Sequence, residues 1–169
     1  EDEPALALVP ELAARALESQ PSARALANTL AQHASCAVIG RGFGLPVALE
    51  WALKLKELAG VFAEPFSAAD YRHGPIALAS AGAPVFTIEL PGPARADVRR
   101  LGEDLRERGA RLVRVSDESV ADLCIPVADE WLAPIPAAIA GQLLAFWLAR
   151  ARGRDPDHPI GITKVTRTL

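Results

Sequence analysis

The sequence predicts an α/β domain: a three-layer α-β-α sandwich on a central parallel sheet of about five strands, flavodoxin-like in order. Three observations predict it. Short apolar runs such as Cys36–Ile39 and Pro84–Leu90 have the length and continuous hydrophobicity of strands buried on both faces. Longer segments with Leu and Ala at helical spacing alternate with them. Glycine and proline punctuate the junctions, as at Gly40–Gly44 and Pro91-Gly92-Pro93.

The elements follow in order. Ala5–Leu17 and Ala23–His33 read as two helices divided at Gln20-Pro21-Ser22, with Ser22 the expected N-cap. A strand over Cys36–Ile39 runs into Gly40-Arg41-Gly42-Phe43-Gly44, and Pro46 opens a helix through Ala59. Val61–Glu64 is a short strand, and Ser67 with Asp70 forms a capping box for a brief helix. Beyond Gly82 come a strand over Pro84–Leu90, a charged amphipathic helix over Ala94–Arg108 stopped by Gly109, and a strand over Arg111–Val115. A strand over Leu123–Val127, a long apolar helix over Ile135–Ala151 and a polar tail from Asp155 complete the pattern.

Bulk properties narrow the function classes. A chain of 169 residues, half of them hydrophobic, suits one domain with a packed core. The net charge of −3 and the lack of a long basic run argue against a nucleic-acid partner. The longest apolar stretch, Ile135–Leu148, is broken by Pro136 and Gln142 and is too short to span a membrane. Cys36 and Cys124 sit in apolar runs without metal-ligand spacing, so two buried free thiols and a cytoplasmic setting are expected. The sequence begins at Glu1 and contains no Met, as a piece of a longer protein would.

Two stretches carry candidate chemistry. Gly40, Arg41, Gly42 and Gly44 follow a strand and precede a helix, where backbone N–H groups can cradle a phosphate; the alternative is a tight turn. The third glycine comes too early for a dinucleotide fingerprint. On the helix that follows, about 100° per residue places Glu50, Lys54 and Glu57 within an arc of roughly 60°. Lys56 points elsewhere, beside Leu49 and Leu53. An ordinary salt-bridge ladder is one reading; a cleft that sets a base near neutral pH is the other. His73 stands in a turn between Arg72 and Gly74-Pro75, and Asp155-Pro156-Asp157-His158 reads as a turn rather than a metal site.

The stretch GRGFGLPVALEWALKLKELAGVFAEPFSAADYRHGPIAL, with the tail DHPIGITKVTRTL, resembles the sugar isomerase (SIS) domain family. The form it resembles is the second, C-terminal copy in the isomerase half of the glucosamine-6-phosphate synthase family and related tandem proteins. The run A-L-E-x-A-L-K-L-K-E followed by H-G-P is the specific part, and the resemblance extends from about Leu30 to Leu169. It implies residues 1–34 as helices entering the domain, 35–154 as the SIS domain and 155–169 as a tail carrying Lys164.

It implies roles as well. Glu57 matches the base that moves a proton between sugar C1 and C2, and Lys54 the lysine that helps handle protons on the open-chain sugar. His73 matches the ring-opening histidine, supplied in the family from a neighbouring subunit, and Lys164 the tail lysine that forms an imine with a ketose. Glu50 and Glu64 match other recurrent acids. The resemblance thus implies ketose–aldose phosphate interconversion, a sugar-phosphate ligand, a homodimer and a preceding SIS copy, with no metal or other cofactor. A fructosamine-phosphate deglycase domain and a non-catalytic sugar-phosphate-binding or dimerisation module are the alternatives.

The departures matter too. No S-x-S-x-x-T phosphate-gripping run is present, and no N-terminal glutaminase cysteine. Ile160 stands where the family tail has arginine after proline.

Overall fold

A computed structural model describes residues 3–162. Five parallel strands form the central sheet: β1 (Ser35–Gly40), β2 (Phe62–Ser67), β3 (Pro84–Glu89), β4 (Arg111–Ser116) and β5 (Leu123–Cys124). Their spatial order, β2-β1-β3-β4-β5, is the flavodoxin-like order the sequence predicts. The helices are α1 (Glu3–Leu6), α2 (Val9–Leu17), α3 (Gln20–Leu30), α4 (Gly44–Lys54), α5 (Ala68–Tyr71), α6 (Arg95–Glu107) and α7 (Pro134–Ala151). A π-turn, Leu55–Ala59, continues α4, and a 3-10 helix, Pro75–Ala81, follows α5.

Alternation along the strands builds two cores. Val38, Phe86, Ile88, Val113 and Val115 face the layer of α3, α4 and α7, joined there by Ala27, Trp51 and Leu144. Ile39 and Val85 face the other way, onto Tyr71 of α5 and Val98, Leu101 and Leu105 of α6. These are the three layers expected. Trp51 is fully buried between the sheet and α7: its ring meets Phe86 edge-on, and its Nε1 donates to the Ala137 carbonyl at 2.8 Å.

The sheet edges are short. β5 pairs at two positions only, Val115 with Leu123 and Ser116 with Cys124. The expected strand over Leu123–Val127 is cut there because Pro126 has no N–H to continue a ladder. At the other edge β2 runs to Ser67, longer than expected, and includes Pro65 opposite Val38.

Other expectations need correction. The first helix is divided into α1 and α2, with Pro10 in the first turn of the second segment. Pro21 likewise opens α3 rather than separating two helices, so Ser22 lies inside the helix and is not its cap. Ser19, the residue before α3, turns its hydroxyl back to the Ala16 carbonyl at 2.7 Å. Cys36 is buried as expected, but Cys124 on the edge strand is exposed.

One buried charge was not foreseen. Glu89, 1% exposed at the end of β3, accepts from Arg114 Nε at 3.0 Å, Arg114 Nη2 at 2.8 Å and Arg99 Nε at 3.2 Å. Thr87 Oγ1 donates to it as well, at 3.1 Å. Burial of a carboxylate is tolerable only with this degree of pairing.

Candidate active site

The charged helix of the sequence is α4 with its π-turn. Val47, Ala48, Trp51, Ala52, Leu55 and Ala59 recur at helical spacing and are buried against the sheet and α7. That leaves Leu49, Glu50, Leu53, Lys54, Lys56 and Glu57 facing outward. The helix is therefore less apolar on its outer face than expected, although Leu49 and Leu53 stay 52% and 46% exposed beside the charges.

At Leu55 the hydrogen bonding widens. The N–H groups of Gly60 and Val61 both reach back to the Leu55 carbonyl, and Gly60 closes the turn at φ 61°. Such turns are uncommon within helices and recur at functional sites. Glycine is favoured here because the left-handed backbone disfavours side chains, and the Arg154 guanidinium lies where a Cβ would stand. Glu57 lies in the middle of this turn.

Lys54 Nζ donates to Glu57 Oε2 at 2.6 Å, both side chains being 29% exposed. The hydrogen bond to Glu57 raises the Lys54 pKa above the ordinary lysine value; partial burial opposes the shift, and the charges of Glu57 and Glu50 add to it. Lys54 is thus held as an ammonium at neutral pH. Glu50 accepts from Gln142 Nε2 of α7 at 3.1 Å. Gln142 is a site neighbour that the sequence reading missed; its signal was a lone amide within the apolar stretch Pro134–Ala149.

Glu64 is placed differently. It pairs with Lys56 at 3.3 Å, both about two-fifths exposed, so this pair contributes little to stability. Lys56 thus makes an ion pair as well as covering apolar surface.

The remaining candidates lie apart from Glu57. Because β1 and β2 are parallel, α4 returns the chain from the carboxyl edge of the sheet to the amino edge. Its length places Glu57 roughly 20 Å from Gly44. Gly40, Arg41, Gly42 and Gly44 stay at the carboxyl edge as a compact turn: Gly44 N–H donates to Arg41 O and Leu45 N–H to Gly42 O. A Cβ on Gly40 would strike the Gly44 carbonyl. His73 follows β2 and α5 at that same edge, about a strand's length, roughly 20 Å, from Glu57. It is exposed, and its imidazole has no polar partner among the described residues. Lys164 lies outside the described residues. Among the described residues, no group of three His, Cys, Asp or Glu is placed to hold a metal ion.

A doubly wound parallel sheet of this order, with a charged π-turn closing its first crossover helix, defines a class, the flavodoxin-like α/β domains. The chain belongs to the SIS domain family, which it matches over residues 29–152. It is 41% identical over 170 residues to a glutamine–fructose-6-phosphate aminotransferase [isomerizing] of Thermococcus kodakarensis, covering 97% of this chain and 28% of that protein. The chain therefore spans little more than a quarter of the length of such relatives.

Two solved structures are also similar. One is the C-terminal domain of glucosamine-fructose-6-phosphate aminotransferase from Francisella tularensis, with TM-score 0.83, 24% identity, and coverage of 90% of this chain and 45% of that one. The other is a glucosamine-6-phosphate deaminase from Thermotoga maritima, with TM-score 0.74, 30% identity, and coverage of 91% and 47%. Among the described residues, no helix is long and apolar enough to cross a membrane.

Proposed function

We propose that this chain is the second SIS copy of a cytoplasmic phosphosugar isomerase or aminotransferase, contributing the acid–base residues for ketose–aldose interconversion. The observation that carries the reading is the Lys54–Glu57 pair at 2.6 Å on the π-turn. Glu57 takes a proton from C1 of an open-chain ketose phosphate and returns it to C2. The intervening enediolate oxygen draws on the ammonium of Lys54, which Glu57 foremost, and Glu50 held by Gln142 as well, help to keep charged. Where Lys164 in the tail instead condenses with the C2 carbonyl, water leaves and the imine makes the C1 proton more acidic, so that an enaminol takes the place of the enediolate.

The site needs more than one copy of the fold. A position for His73 some 20 Å from Glu57 supports its serving the site of a neighbouring subunit. Leu49, Leu53 and Phe62, the last 67% exposed, leave the outer face of α4 and β2 apolar around the charges, which supports coverage by a preceding copy. That copy also supplies the main phosphate grip, since the Gly44 and Leu45 N–H groups at the end of the glycine-rich turn are already engaged within it. In this reading residues 1–34 enter the domain, 35–154 form it, and 155–169 carry Lys164 to the site.

The test is deuterium uptake by fructose 6-phosphate in D2O, with the full-length protein. We expect label at C1 or C2, binding retained in Glu57→Gln, and exchange reduced roughly a hundredfold or more. Exchange equal to wild type in Glu57→Gln excludes Glu57 as the base. Similarity to a deaminase favours a second reading, removal of an amine from an amino-sugar phosphate. Ammonia release from glucosamine 6-phosphate distinguishes it.

A further inference from the structure

The turn that carries His73 is exposed, yet it is fixed from both sides. Its own backbone closes through the His73 N–H to the Asp70 carbonyl at 3.0 Å. Gly74, at φ 141°, then redirects the chain into the 3-10 helix that Pro75 opens.

Arg72 supplies the other restraint. Its Nη1 donates to the Ala68 carbonyl and lies against Asp97 Oδ1, each at 3.1 Å, while its Nη2 donates to the main-chain carbonyl of Asp97, also at 3.1 Å. The second carboxylate oxygen of Asp97 takes Arg41 from the loop after β1. Asp97 stands in the first turn of α6, where the helix dipole favours a carboxylate. It is 18% exposed and joins three segments: the β1–α4 loop, the His73 turn and α6. Arg100, 72% exposed and 3.6 Å away, adds little.

A forked guanidinium held at both the carboxylate and the carbonyl of one residue restricts direction as well as distance. Among the described residues, no polar group uses the imidazole that the turn presents. We propose that Asp97, acting through Arg72, is a positioning residue for His73, setting its imidazole for ring opening of a furanose phosphate in a neighbouring site. The inference rests on the role given to His73 under the proposed function. In that step the C2–O5 bond breaks, His73 delivers a proton to O5, and the anomeric hydroxyl loses its proton as the C2 carbonyl forms. Fixed geometry matters because small displacements of a proton-transfer group carry large rate costs.

The test compares two substrates with the full-length protein. Fructose 6-phosphate must be opened; 5-deoxyfructose 6-phosphate has no 5-hydroxyl, cannot close to a furanose, and bypasses the step. Asp97→Ala is expected to lower kcat on fructose 6-phosphate roughly tenfold to a hundredfold and to leave the open-chain analogue within about twofold of wild type. Asp97→Asn, which keeps size and one acceptor, guards against loss of fold and is expected to show the same selectivity. Combining Asp97→Ala with His73→Ala should be no slower on fructose 6-phosphate than His73→Ala alone. Equal losses on both sugars make Asp97 a structural residue and overturn the proposal, as does an Asp97→Ala enzyme at wild-type speed. Wild-type protein that turns over neither sugar overturns the proposed function itself, and this inference with it.

Discussion

The indole of Trp51 on α4 fills the space that a side chain at Gly141 on α7 would need. The ring packs directly on the α7 backbone there, and the Trp51 N–H is spent on the Ala137 carbonyl one turn earlier in α7. Gly141→Ala must therefore displace a fully buried ring and strain or break that hydrogen bond. The expected cost is about 1–3 kcal/mol, read as a lower urea midpoint with an unchanged slope.

Among the described residues Glu89 is the one buried acid, and two arginines depend on it. Glu89→Ala leaves Arg99 and Arg114 facing an emptied, poorly solvated space. We expect about 3 kcal/mol of destabilisation, the lower part of the range for broken buried pairs because Arg99 is a third exposed. Chemical denaturation of this variant beside Arg99→Ala, expected to be milder, checks the ranking.

The two thiols should differ in reactivity. Burial pushes Cys36 up to about 12, with a small opposing pull from Lys56, whereas Cys124 is exposed. Only the thiolate is nucleophilic. A thiol reagent near neutral pH should modify one cysteine per folded chain, mapped to Cys124, and two in denaturant.

Acid should weaken the clamp on the His73 turn. Burial acts against ionisation of Asp97, but hydrogen bonds from Arg41 and Arg72 and their charges outweigh it and hold its carboxyl below the ordinary aspartate range. A folded pKa below the unfolded one gives stability that is present above the unfolded value and is lost as pH falls through the folded one. Asp97→Asn should therefore flatten the acid limb of the stability curve while lowering the neutral plateau. Urea midpoints measured from about pH 2 to 6 test this.

The sheet and its order were legible because buried parallel strands are short, apolar and bounded by glycine and proline. The Glu50–Lys54–Glu57 face was legible because helical spacing fixes it. The π-turn was not: it closes on the left-handed Gly60, against which Arg154 packs from far along the sequence. Pairings such as Lys56 with Glu64 and Asp97 with Arg72 and Arg41 were hidden for the same reason, since tertiary structure alone selects partners among many surface charges. The fold also separates the glycine-rich turn from Glu57, although only twelve residues intervene between Gly44 and Glu57 in sequence. A helix that crosses the whole domain converts that small gap into distance.

The margins of the sheet bear on how copies of this chain can meet. One margin is a six-residue strand carrying Pro65 and the paired Glu64, and the other is a strand of two residues. Neither offers a long, flat row of free amides for another chain to zip onto. Self-association by growing one continuous sheet, the geometry that leads toward fibrils, is disfavoured at both ends. Contact between copies of this chain is thereby left to side chains, among them the charged and apolar groups on the outer face of α4.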